Sequence, residues 1–246
     1  MQDLVTGKIY QKNRLLKLVM IIIVILIIVI VVVLGFYFKS KSYSEFAETK
    51  YYFLVAKKSK NSKEITNMQD SVKSAGGAGI IYQKNNYDYL IITVYNDESA
   101  ANEVLKLNKE KFNAAEILEI KTKRLKKSKK NQIKSCFVLD SMVKNLNKTI
   151  DSVMNYMMQY LKQGLTDNKL CSNVLVLRFE FDELLKRIDE IDDEKLKSFT
   201  YSYLNLAIMY FSNFINNFFG STKKQSVLCD FVVNLVFLKI EIFNNL

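Results

Sequence analysis

Histidine, proline and tryptophan are absent from this chain of 246 residues. The missing histidine removes the side chain that most often moves protons near neutral pH and most often ligates metals. Cysteine is scarce. Cys136, Cys171 and Cys229 are widely spaced, odd in number and form no Cys-x-x-Cys pair, which argues against a disulfide framework or a zinc site. Their expected role is as small buried hydrophobes. Arginine is scarce too: Arg14, Arg124, Arg178 and Arg187 are the only four among 36 basic residues, so lysine carries the net charge of +11. Lysine is a flexible point charge without arginine's planar fork, which suits diffuse attraction to an anionic neighbour better than geometric recognition. Heavy use of Lys, Asn, Ile and Tyr with so little Arg suggests an AT-rich bacterial genome. No cofactor, metal ligand set or catalytic residue is expected.

What is abundant is apolar sequence, and it is unevenly placed. Residues 18–38 hold no charge, and 21–34 are unbroken Ile, Val and Leu. About 20 such residues cross the hydrocarbon core of a bilayer as a helix. A signal peptide would have a shorter apolar run and a small-x-small exit. Here the exit is Gly35, Phe36, Tyr37, Phe38 and then Lys39, with aromatics suited to the interface. The expectation is an uncleaved single-span anchor. Lys8, Lys12, Arg14 and Lys17 precede it, so residues 1–17 are expected to be a cytoplasmic tail and everything after Lys39 extracytoplasmic.

Residues 51–123 alternate short strands with helical segments. Tyr51 to Ala56 is aromatic and β-branched, as in a strand. Ile65, Met68 and Val72 space as one helical face, ended by Gly76-Gly77. Residues 79–83 are a second strand, Asn85-Asn86 a turn, and 87–95 a third strand. Asp97 is suited to cap a helix over 98–108, and residues 115–122 are a fourth strand. The order is β-α-β-β-α-β, the split β-α-β or ferredoxin-like arrangement.

Three features together carry a resemblance: the strand Tyr-Tyr-Phe-Leu-Val-Ala at 51–56, the helix ending in Gly76-Gly77, and the run Tyr-Leu-Ile-Ile-Thr-Val-Tyr-Asn-Asp-Glu-Ser-Ala-Ala-Asn-Glu-Val from Tyr89. This segment, 50–122, resembles a divergent SPOR domain, a bacterial peptidoglycan-binding module common in division and sporulation proteins and often set behind one membrane anchor. The resemblance implies a glycan-binding sheet face opposite the helices. It departs from the family where a polar Gln and two Gly would stand: Leu54, Ala56 and Thr93 occupy those positions. Alternation assigns Phe53, Val55, Leu90 and Ile92 to the helix side, and Tyr52, Leu54, Tyr89, Ile91 and Thr93 to the ligand side. Tyr52 and Tyr89 suit stacking on sugar rings. Leu54 and Ile91 offer hydroxyls nothing, so the face is expected to contact protein: the chain's own helices, a second copy or a partner. RNA-binding modules also carry aromatics on such a sheet. Their basic-aromatic signature is missing, so nucleic acid is not an expected partner.

Lys121, Lys123, Arg124, Lys126, Lys127, Lys129 and Lys130 form a basic stretch. It is a solvated linker over 123–131 or a contact for anionic lipid or wall polymer. Residues 132–246 show four apolar stripes at helical spacing. They run from Leu139 to Leu161, from Leu170 to Ile191, from Leu196 through Phe199, Tyr203, Leu206 and Tyr210 to Phe218, and from Leu228 through Phe231, Leu235 and Leu238 to Ile242. Short breaks between them, at Gly164 to Asp167, Asp192-Asp193 and Gly220-Ser221, predict a self-contained up-down four-helix bundle. The carboxylates between Glu180 and Glu194 fall off the stripes, on a face expected to be solvated. The expected fold class is therefore α+β: a transmembrane helix over 18–38, a ferredoxin-like domain over 50–122 and an all-α bundle over 132–246. The expected function is non-catalytic binding or localisation at the cell wall of a single-pass envelope protein. The alternative is a scaffold that binds an envelope protein and no glycan.

Overall fold

Apolar residues on both faces of one strand build the centre of the sheet. Strand β1 (Lys50–Ser59) is buried from Tyr51 to Ala56 without a break. The computed structural model describes residues 46–124 and 135–246, which fall within one unit, Glu45–Leu246. Strand β1 lies between β3 (Tyr87–Tyr95) and β4 (Glu116–Lys121), and β2 (Ile80–Lys84) pairs with the outer side of β3. The order β2-β3-β1-β4 is antiparallel throughout. Helices α1 (Ser62–Ser74) and α2 (Glu98–Lys109) follow β1 and β3.

Local chemistry explains the ends of these elements. Asn85 and Asn86 both take positive φ, 52° and 61°, as a two-residue hairpin turn requires. Asn61 Oδ1 accepts from Lys63 N at 3.2 Å to start α1. Gly77 closes the loop after α1 because a Cβ there would sit 2.7 Å from Val72 Cγ1 and 3.0 Å from Ile92 Cγ2. Asp97 Oδ2 accepts from Ala100 N at 2.7 Å to start α2. Losing a cap of this kind costs about 1 kcal/mol. Asp97→Ala is expected to lower the unfolding free energy by that much, read as a lower denaturation midpoint at an unchanged slope; an unchanged midpoint would mean that this cap contributes nothing.

Four longer helices follow: α3 (Ser135–Leu161), α4 (Asp167–Lys186), α5 (Glu194–Phe218) and α6 (Lys224–Asn245), with a 3-10 turn at Ile188–Glu190. Helices α1 and α2 cover one face of the sheet through Ile65, Val72, Leu90, Ile92 and Phe112. Helix α6 covers the other, and its far side packs into the bundle: Phe231 lies 4.8 Å from Phe214 and 5.2 Å from Phe211, centroid to centroid. Thirteen of the 22 residues of α6 are buried, on every side of the helix, as expected for a helix that is apolar all round.

The structure corrects the expected fold class. Among the described residues the chain is mixed α+β, a four-stranded antiparallel sheet with six α-helices, and no helix is long and apolar enough to cross a membrane. The helix expected over 18–38 and the tail 1–17 lie outside the described residues. The sheet and the bundle are also not separate bodies. One apolar core runs from Phe53 and Ile91 through Val233 and Val236 to Leu146 and Phe181. The stripe of α5 is rotated as well. Thr200, Leu204, Ala207 and Phe211 are buried, whereas Phe199, Tyr203, Leu206 and Tyr210 are half-buried. Burial of small Thr200 and Ala207 leaves the tyrosines at the edge, where the Tyr203 hydroxyl reaches Glu241 at 3.2 Å and Asn245 at 2.9 Å.

Candidate functional site

The face of the sheet opposite α1 and α2 is the first candidate, and its composition differs from the expectation on β1. Tyr51 and Phe53 point to α6: the Phe53 ring stacks on Phe237 at 4.9 Å, and the Tyr51 hydroxyl lies 2.8 Å from Lys239 Nζ. Leu54 and Ala56 point to the α1 side, in the cluster with Ile65 and Val72. Tyr52 lies beside Glu98 of α2, and burial with that carboxylate raises its hydroxyl pKa. Tyr52 and Leu54 are therefore not on the expected contact face. Tyr89, Ile91 and Thr93 are, but they are buried under the chain's own helices. The Thr93 hydroxyl lies 3.7 Å from Met157 Sδ of α3.

The register between β1 and β3 shifts on either side of Val55. Such a bulge re-aims side chains. Beyond it Lys57 pairs with Glu64 on the α1 side, and Lys58 Nζ stands over Tyr89 and Tyr87 on the other, at 5.3 and 4.5 Å from the ring centroids. Lys60 Nζ is 5.1 Å from the Tyr87 ring. Half-buried Tyr82 and Tyr87 with these lysines make the most open part of this face, at the β2–β3 turn.

Of the basic stretch, Lys121 lies 3.7 Å from Glu48 and 3.5 Å from Glu119, and Lys123 Nζ donates to the Asn244 carbonyl at 3.3 Å. Arg124 is exposed. Lys126, Lys127, Lys129 and Lys130 lie outside the described residues. The acidic group on α4 and after it is engaged in ion pairs: Glu180 with Lys148, Asp182 with Arg178, Glu183 with Lys186, Asp189 with Lys197 and Glu190 with Arg187.

A second candidate has no counterpart in the expected sites. A cleft of about 390 Å³ opens where the loop after α1 meets α5 and α6. Tyr210, Asn213 and Asn217 line it from α5, Asp230 and Asn234 from α6, and Lys73 from α1. Ser226 Oγ donates to the Gly77 carbonyl at 2.8 Å, and Lys223 Nζ lies 2.9 Å from Ser74 Oγ, so α6 and the loop before it are tied to the sheet module. Asn234 Nδ2 donates to Asp230 Oδ2 at 3.1 Å. Burial pushes the Asp230 carboxyl above its ordinary range, and Lys73 and Asn234 act against that shift. In the sequence, the asparagines at i, i+4 on α5 and the Asp230 and Asn234 pair at the same spacing on α6 are the signal for this cleft.

No family model matches this chain, and no curated protein matches it. Among solved structures, the peptidoglycan-binding domain of the Bacillus subtilis cell wall lytic enzyme CwlC is similar to it. The likeness has a TM-score of 0.28 and 13% sequence identity, and covers 32% of this chain and 99% of that one.

Proposed function

We propose that this chain is a non-catalytic binding protein of the bacterial cell wall, its described residues extracytoplasmic, built on a SPOR-like sheet module joined to its own helices. The observation that carries this reading is local. The residues with the SPOR-like motifs, Tyr51 to Ala56, Gly76-Gly77 and Tyr89 onward, form a β-α-β-β-α-β unit with strand order β2-β3-β1-β4. The lack of histidine and the engagement of the acidic group in ion pairs support a role in binding. Because α6 covers the sheet face, wall contact is assigned to the surfaces left open: the lysine-tyrosine end of the sheet and the α5–α6 side.

The second reading, an envelope scaffold that binds protein and no glycan, is favoured by that same covered face. Sedimentation of the full chain with purified sacculi separates the two. The wall reading expects the folded chain in the pellet, released by salt only in part. A folded chain that stays in the supernatant would leave the scaffold.

A further inference from the structure

We propose that the cleft between α5 and α6 is a binding site for a short N-acetylated saccharide, an assignment that rests on the cell-wall reading and names its ligand class. The cleft combines side chains that have no evident role in stability. Asn213 and Asn217 stand one turn apart on α5, both exposed at the mouth of the cleft, and among the described residues neither carboxamide has a hydrogen-bonding partner, so both are open to a ligand. Asparagine is a weak helix former because its side chain competes for the backbone. Asp230 and Asn234 stand one turn apart on α6 and also line the cleft. Their mutual bond uses one carboxylate oxygen and one amide hydrogen, which leaves Asp230 Oδ1, Asn234 Oδ1 and a second amide hydrogen for a ligand.

This inventory selects the ligand. Three carboxamides, a carboxylate and the Tyr210 side chain supply both donors and acceptors, which match hydroxyl and acetamido groups that both give and accept. An anion would meet Lys73 and Lys223, but also the carboxylate of Asp230. A purely apolar ligand would leave the carboxamides unpaired, at a desolvation cost. The apolar lining, Ala78, Phe214, Val227 and Phe231, suits an acetyl methyl group. The volume falls in the range of small-ligand clefts, roughly 300–1,000 Å³. The walls come from α1, α5 and α6 and are tied by Ser226 to Gly77 and Lys223 to Ser74, so the site is largely formed before a ligand arrives.

The test is calorimetric titration of the full chain in detergent with the disaccharide N-acetylglucosaminyl-N-acetylmuramic acid, with maltose as the sugar without acetamido groups. Binding of the acetylated disaccharide is expected, with maltose at least tenfold weaker. The double variant Asn213→Ala, Asn217→Ala should lose at least tenfold in affinity while its melting temperature holds or rises, because alanine favours the helix. Three results would overturn the assignment: no binding of the acetylated disaccharide, maltose binding as tightly, or full affinity in the double variant. If the chain still sediments with sacculi in any of these cases, the cleft assignment falls and the wall reading stands. If the chain binds the disaccharide through these asparagines but does not sediment with sacculi, the cleft stands and the wall reading falls.

Discussion

A chain truncated after Gly220 is expected to lose cooperative unfolding altogether, in the sheet as well as in the bundle. Helix α6 would be gone, and with it the cover of two apolar surfaces. On the sheet, Phe53, Tyr82, Tyr89 and Ile91 would face water where Phe237 and its neighbours now lie. In the bundle, Phe211 and Phe214 would lose Phe231. Each large apolar side chain returned to water costs about 1.5–3 kcal/mol. A domain's whole margin is about 5–15 kcal/mol, so a handful of such losses exceeds it. The measurement is circular dichroism during heating, with limited proteolysis as a second probe. A sharp melt of the truncated chain would show that the sheet module stands alone. By the same reasoning, residues 132–246 are not expected to be the self-contained bundle that their stripes suggest. That fragment would expose the sheet-facing side of α6 and is expected to aggregate or melt broadly.

The second large effect is a pH dependence centred on Lys239. Its side chain is 2% exposed, within 2.8 Å of the Tyr51 hydroxyl and 3.2 Å of Thr49 Oγ1, and 5.0 Å from the Tyr51 ring centroid. Burial lowers its pKa from 10.5 to about 8, with the charge of Asp151 acting weakly the other way. The sign follows from proton binding. Between pH 8 and 10.5 the unfolded chain keeps this proton and the folded chain has lost it, so stability rises with pH across that window. Below pH 8 both states are charged, and the folded state carries the full cost, roughly 3 kcal/mol. Burial of Cys229 raises its thiol to about 11, which gives an opposite slope above pH 9. The Lys239 contribution is therefore read as a difference. Lys239→Met should gain stability relative to the native chain near pH 7, and the gain should shrink by about 2–3 kcal/mol as pH approaches 10. Urea unfolding at both values measures it. A difference that stays constant with pH would mean that Lys239 keeps its proton in the folded chain.

Several local features could be read from the residues alone, and each has a local cause. Asn85-Asn86 marked the hairpin because asparagine tolerates positive φ, and both residues adopt it. Asp97 marked the start of α2 because a short acceptor satisfies the free amides of a first turn. Breaks near Gly164, Asp192 and Gly220 marked the helix ends for similar reasons. Simple alternation along β3 placed Leu90 and Ile92 on one side and Tyr89 and Ile91 on the other, and the two core clusters divide them in that way. Tertiary structure alone decided the phase of β1. All six residues from Tyr51 to Ala56 are apolar and buried, so alternation carries no phase, and the bulge at Val55 then reverses it. The second face of α6 was hidden in the same way. The stripe Leu228, Phe231, Leu235, Leu238 and Ile242 is the bundle side, whereas Cys229, Phe237 and Lys239 meet the sheet. Periodicity names the buried face of an element only when another face is polar. Where an element is buried all round, as β1 and α6 are, only its neighbours in space decide which side meets which, and here they turned an expected ligand surface into the core.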